Sequence, residues 1–187
     1  KLLVINMKVI SGKIKGKNLK GFDIDGTRPT QDRVKESLFG MIQNYVLDSV
    51  VLDLFAGSGS LGIEALSNNS KFCYFVDKNN ISIKTIEENL KGTIIDNYET
   101  IKNDYMIALK NFSSKNIKFD IIFLDPPYNL DCISEIINYI LENDLLNSEG
   151  IIVCEAEFDN FNKEYEGLEL IKFKKYGYKF IKIYKKV

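Results

Sequence analysis

Histidine and tryptophan are both missing from the 187 residues of this chain, and only three cysteines and three prolines occur. Without histidine, a zinc site or a Ser-His or Cys-His nucleophile system has neither ligand nor base to draw on. No metal is therefore expected. Cys73, Cys132 and Cys154 are far apart and form no CxxC pair. They read as small apolar packing residues in a reducing cytoplasm. No apolar run approaches the ~18–20 residues that cross a bilayer. Leu2-Leu3-Val4-Ile5 is too short for a signal-peptide core. The six residues before Met7 read as a tag remnant or an upstream extension. A large excess of either charge is lacking too. With 25 basic and 26 acidic side chains the net charge is −1, which excludes coating nucleic acid by bulk charge.

What is present is an ordinary globular balance, 45% hydrophobic and 27% charged, at a length that fits a single domain with a monomer as default. The charge is unevenly spread. Lys8, Lys13, Lys15, Lys17 and Lys20 precede the first acid at Asp23, and Lys172, Lys174, Lys175, Lys179, Lys182, Lys185 and Lys186 crowd the other end. Two basic ends on a neutral body make a phosphate-contacting patch if they meet in space. On charge alone they read equally well as solvated lysines.

Residues 7–28, broken by Gly12, Gly16, Gly21 and Gly26, read as short extended pieces and, with the residues before them, predict a small N-terminal β-hairpin extension over 1–28. Residues 29–187 are expected to form the main domain. It starts with a helix capped by Thr30 and carrying Val34, Leu38, Met41, Ile42 and Tyr45 at helical spacing. Strands over 50–55, 72–76, 98–102, 119–124 and 151–154 then alternate with helices over 60–67, 81–90, 105–109 and 132–141. Residues 168–175 and 179–184 around Gly177 read as an antiparallel hairpin. Continuous apolar strands alternating with helices mean a mostly parallel α/β sheet covered on both faces. Such sheets bind ligands at the carboxyl ends of their strands, where strand order reverses.

Both chemical motifs follow strands. Asp53-Leu54-Phe55-Ala56-Gly57-Ser58-Gly59-Ser60-Leu61-Gly62 puts a G-x-G-x-x-G array between strand and helix. Asp77, 20 residues beyond Gly57, ends the next strand, where a carboxylate accepts hydrogen bonds from the hydroxyls of an adenosine ribose. Lys78 follows it. The array alone fits a nicotinamide dinucleotide as well as S-adenosylmethionine. Asp53 favours the cationic sulfonium cofactor over a pyrophosphate, and Asn103-Asp104 is placed to contact an adenine edge.

The second motif, Asp125-Pro126-Pro127-Tyr128, follows residues 119–124 directly. The lone pair of an aromatic amine is delocalised into its ring, so the amine is a poor nucleophile. A carboxylate at Asp125 and the Pro126 carbonyl, stiffened by the two prolines, hold both N–H bonds and turn the lone pair toward a methyl donor. Tyr128 offers a ring on which an extruded base stacks.

With both motifs in place the sequence resembles the RsmD-type 16S ribosomal RNA guanine-N2 methyltransferases over nearly its whole length. Val9-Ile10-Ser11-Gly12 to Lys15-Gly16-Lys17-Asn18-Leu19 is similar to that family's opening hairpin. Arg28-Pro29-Thr30-Gln31-Asp32-Arg33-Val34-Lys35-Glu36-Ser37-Leu38-Phe39 is similar to its hallmark helix start, and Leu61-Gly62-Ile63-Glu64-Ala65-Leu66-Ser67 continues the match. The resemblance implies a class I, Rossmann-like methyltransferase fold with a seven-stranded sheet, S-adenosylmethionine as cofactor, and a guanine of small-subunit rRNA or of the assembling 30S subunit as target. It implies cofactor contacts at Phe55, Ala56, Gly57, Ser58, Gly59, Asp77 and Asp104, and catalysis at Asp125 to Tyr128. Arg28, Thr30 and Arg33, with Lys13, Lys15 and Lys17, are implied on the substrate side. Lysine stands at 15 and 17, where that family usually has arginine, which changes a bidentate contact into a point charge. Two other readings compete. One is methylation of adenine N6 or cytosine N4 in DNA by the same Asp-Pro-Pro-Tyr chemistry. The other is an NAD-binding oxidoreductase or a silent nucleotide-binding domain.

Overall fold

The computed structural model describes residues 3–23, 32–127, 132–156 and 164–187, and the side chains of 3–6, 22 and 23 are left aside. The expected hairpin is β1 (Leu3–Lys8) paired antiparallel with β2 (Asn18–Asp23). It begins earlier than Met7, because Leu3 to Asn6 pair with Lys20 to Asp23. The N-terminal helix is α1 (Asp32–Val46). Thr30, expected as its cap, lies outside the described residues, as do Arg28 and Tyr128.

The main body then runs β3 (Val50–Asp53), α2 (Ser60–Ser67), β4 (Phe72–Asp77), α3 (Asn80–Leu90), β5 (Tyr98–Lys102), α4 (Tyr105–Ser114), β6 (Phe119–Leu124), α5 (Ile133–Glu142), β7 (Leu146–Ala156), β8 (Leu168–Tyr176) and β9 (Lys179–Lys186). The last seven strands named β form one sheet, ordered β5-β4-β3-β6-β7-β9-β8. β5 to β7 are parallel, while β9 runs antiparallel between β7 and β8. This is the class I methyltransferase arrangement, with the strand order reversing between β3 and β6.

Alternation along each strand divides the core in two. Val51, Phe75, Ile121, Phe123, Ile151 and Val153 face α1, α2 and α3. Leu52, Val76, Ile122, Leu124, Ile152 and Cys154 face α4 and α5. A period of two in strands buried on both faces requires apolar residues at every position, as the sequence has. The three cysteines form no disulfide and are buried in these layers. The N-terminal hairpin joins the first layer through Met7, Val9 and Leu19.

What fastens that hairpin is polar. Glu64, on α2 and fully buried, accepts the backbone N–H groups of Ile10 (2.9 Å) and Ser11 (2.9 Å). It also accepts from Ser11 Oγ (3.2 Å) and Asn68 Nδ2 (3.4 Å), and its counter-ion is the buried ammonium of Lys35 on α1, at 3.2 Å. Lys35 also donates to the Lys8 carbonyl (2.6 Å) and to Ser60 Oγ (3.1 Å). Two of its protons thus have hydrogen-bond acceptors and Glu64 supplies the opposite charge, the conditions under which a buried charge is tolerated. Asn89 on α3 adds a second clamp, exchanging hydrogen bonds with both backbone groups of Lys20 and donating to the Ser58 carbonyl.

Candidate active site

The two motifs meet where the strand order reverses. Asp53 of β3 is level with Phe75 of β4 on one side and Phe123 of β6 on the other. Beyond the ladder, the Leu54 N–H donates to the Phe123 carbonyl (3.2 Å) and the Ala56 N–H to the Val76 carbonyl (2.9 Å). The glycine loop therefore rises between the end of β4, at Asp77, and the end of β6, which runs straight into Asp125. Asn103 joins the same edge, its N–H donating to the Asp77 carbonyl at 3.1 Å.

Each glycine of the loop has its own reason. At Gly57 the backbone is left-handed (φ +53°) and a Cβ would meet nothing within 4 Å, so the chain there borders an open concavity. At Gly62 a Cβ would lie 2.3 Å from the Phe75 ring and 2.7 Å from Cys73 Sγ, so only glycine lets α2 lie this close on β4. The half-buried Asp77 carboxylate spans the loop mouth. One oxygen accepts from the Gly57 N–H (2.9 Å) and the other from the Asn79 N–H (2.8 Å). Each oxygen keeps a lone pair for a further donor. Lys78 is exposed beside it.

Asp53 sits differently from its expected place facing a cationic ligand. It is 2% exposed, beneath the loop, and accepts from the Gly62 N–H at 3.0 Å. Its positive partner is thus the first turn of α2. Burial pushes its carboxyl up to about 7, the Gly62 N–H pulls against that rise, and the nearby Asp77 charge adds to it. An acid whose folded pKa exceeds its unfolded value stabilises the fold at low pH and loses that contribution as pH rises through the folded value. The stability of the wild type relative to Asp53→Asn is therefore expected to fall from about pH 4 to about pH 7. Chemical denaturation across that range measures it, and a constant difference contradicts the burial argument.

Asn103 and Asp104 are used locally. Asp104 caps α4, accepting from the Met106 N–H at 2.9 Å, and Asn103 Oδ1 accepts from the Asp104 N–H at 2.9 Å. Asp104 is nonetheless exposed at the rim. Phe55 and Tyr105, with ring centroids 5.3 Å apart, form an apolar wall on that side. Asp125 and Pro127 are half-buried and Pro126 is buried, anchored by the fully buried Leu124 before them.

The predicted substrate-side residues divide. Arg33 is exposed on the first turn of α1, which reaches the site edge through the contact of Lys35 with Ser60. The turn bearing Lys13 and Lys15 does not reach it. The Lys13 N–H donates to the carbonyl of Ser67, at the end of α2 opposite to the glycine loop. Lys13 and Lys15 are exposed there and Lys17 is half-buried. Lys35, Glu64 and Asn89 were not singled out as site supports. For Glu64 a signal existed, since a carboxylate within the otherwise apolar stretch of α2 must find a partner when the helix is buried.

The family described as Conserved hypothetical protein 95 matches residues 7–185. The putative rRNA methyltransferase YlbH of Bacillus subtilis is 41% identical over 182 residues, 96% of this chain and 99% of that protein. Ribosomal RNA small subunit methyltransferase D of Escherichia coli is 32% identical over 154 residues, 82% of this chain and 76% of that protein. The chain belongs to the RsmD family. Its fold agrees with that placement. The solved structure of the putative methyltransferase yhhF from Escherichia coli superposes with a TM-score of 0.84 at 29% identity, covering 97% of this chain and 98% of that one. As an RsmD-family member it places the Gly57 loop and the Asp125 motif, the two features shared by many amino-methyltransferases, side by side at one sheet edge.

Proposed function

We propose that this chain methylates the exocyclic N2 amino group of a guanine in small-subunit rRNA, free or in the assembling 30S subunit, with S-adenosylmethionine as donor. We read it as a cytoplasmic monomer. The carrying observation is the backbone link from Leu54 to Phe123, which sets an amine-holding motif directly against a nucleoside-binding loop. Family membership directs that chemistry to ribosomal RNA rather than to DNA.

The residues fit the donor. The open side of Gly57 admits a ligand to the backbone, and the remaining lone pairs of Asp77 suit a pair of ribose hydroxyls. Phe55, Ala56, Ser58, Gly59, Lys78, Asn103 and Asp104 complete the enclosure. Asp53 acts from below, fixing the first turn of α2 through the Gly62 N–H. S-adenosylmethionine supplies an electrophilic methyl carbon on sulfur when bound.

The chain then has mainly to align. Asp125 and the Pro126 carbonyl accept the two N–H bonds of the target amine, so its lone pair points away from them. Tyr128 gives the base a stacking face, worth ~1–3 kcal/mol. The carboxylate of Asp125 is placed to take the proton that the methylated amine sheds. Alignment of this kind supplies much of a rate enhancement when nucleophile and electrophile are both bound. Arg28, Thr30 and Arg33 close the entrance over the base.

Mass spectrometry of nucleosides from small-subunit rRNA, with and without the gene, tests the proposal. Loss of one N2-methylguanosine is expected. Unchanged rRNA with loss of a methylated DNA base sinks it in favour of the DNA reading.

A further inference from the structure

We propose that the tip of the β8–β9 hairpin is an RNA-binding surface that grips the single strand flanking the target base, an inference that rests on the rRNA reading above. The strand register locates the tip. Leu124 of β6 is level with Cys154 of β7, Cys154 with Lys182 of β9, and Lys182 with Phe173 of β8. Asp125 follows Leu124 in the direction in which Lys174, Lys175 and Tyr176 follow Phe173. The tip therefore rises from the same sheet edge as the catalytic motif. It stands three strand spacings away, roughly 14 Å at about 4.8 Å per step.

Its side chains suit a nucleic-acid strand. Phe173, on β8, is 52% exposed, and Tyr178, in the turn, 46%. Lys174 and Lys175 are exposed between them, and no acid occurs from residue 170 to 187. Lys175 lies 5.2 Å from the centroid of the Phe180 ring, and Phe173 stacks on Phe180 with centroids 6.0 Å apart. Exposed rings interleaved with cations match the needs of bases and phosphates in a single strand. The tip is also held in place by Tyr176, which hydrogen-bonds to Ser37 on α1, while Lys174 reaches the same hydroxyl from an exposed position where the bond adds little.

Other basic residues are excluded by position. Lys179 and Lys182 are buried, with Lys179 paired to Glu155. Lys185 and Lys186 pair with Glu149 and Asp144 at the opposite end of the sheet. Lys13 and Lys15 sit at the far end of α2. The basic C-terminus thus converges on the site through Lys174 and Lys175, not through its whole length.

The test measures binding of naked small-subunit rRNA and of assembling 30S subunits against salt, beside methyl transfer to each and affinity for S-adenosylhomocysteine. The variant Lys174→Glu/Lys175→Glu is expected to bind RNA at least about tenfold more weakly and to lose about 1.4 from the logarithmic salt slope. Phe173→Ala is expected to weaken binding at least about fivefold without changing that slope. Lys71→Glu/Lys115→Glu, the same charge change at exposed sites beside the amino ends of β4 and β6, is expected to stay within about twofold. Homocysteine-analogue affinity and melting temperature remain at wild-type values in all three. Tip variants that bind RNA as the wild type does overturn the inference, whether or not the wild type methylates. So does a defect seen only with protein-containing subunits, which assigns the tip to a protein partner. A wild type that binds RNA through the tip but methylates neither naked rRNA nor assembling 30S subunits overturns the rRNA reading and leaves the tip assignment standing.

Discussion

Replacing Asp125 by alanine lowers kcat by about 10²–10³-fold, the usual cost of removing one oriented hydrogen-bonding group from a reacting centre. Affinity for S-adenosylhomocysteine is expected to stay within about twofold, because donor and amine are held by different strands. In the proposed site the donor side belongs to β3, β4 and β5, through Gly57, Asp77 and Asp104. The amine side hangs from β6 alone, between the buried Leu124 and the buried Pro126. Asp125→Asn keeps the size and one acceptor oxygen but loses the charge, and is expected to retain more turnover than alanine. Stopped-turnover assays with titrated S-adenosylhomocysteine measure both quantities. Equal losses in both assign Asp125 to donor binding and contradict its role at the amine.

The largest loss of stability is expected at Glu64→Ala, about 3–5 kcal/mol, typical of breaking a buried ion pair from one side. At roughly 2–4 °C per kcal/mol for a domain of this size, the melting temperature falls by about 6–20 °C. The size follows from what is left behind. The Lys35 ammonium loses its counter-ion in a site with no solvent access, and the N–H groups of Ile10 and Ser11 lose their acceptor. Lys35→Met removes the opposite charge and leaves Glu64 with those two N–H donors still in place, so it is expected to cost less. Thermal melts of the two variants give the order, and a larger drop for Lys35→Met reverses the argument.

Local pattern carried most of the fold. The helix over 60–67 and the strand over 98–102 have in the structure the limits that periodicity assigns them. Departures occur where polar residues interrupt a pattern that packing continues. α4 runs on to Ser114 because Phe112 is buried one turn beyond Ala108 and Leu109, past the polar Lys110 and Asn111. β7 starts at Leu146, well before Ile151, because a register shift between Phe119 and Ile121 accommodates the polar residues 147–150. The site divides along the same line. Its two motifs stand in continuous sequence and are readable there. The roles of Asp53 and of the Lys35–Glu64 pair depend on which group lies across the core, information that enters only when α1, α2 and the hairpin dock. The same holds for the lysines. Composition shows two basic ends, but only the register of β7, β9 and β8 separates the lysines at the catalytic edge from those bound elsewhere.

Among the described residues β8 has a neighbour on one side only, which leaves its outer backbone N–H and C=O groups available as a template for another chain. Lys172, Lys174 and Lys175 are exposed along that open strand. Two such strands approaching side by side would bring like charges together, so the lysines guard the enzyme against edge-to-edge aggregation. Glutamate at 174 and 175 preserves that guard while inverting the sign that RNA meets. Neutral replacements remove both together, and a loss of solubility would then accompany any loss of binding.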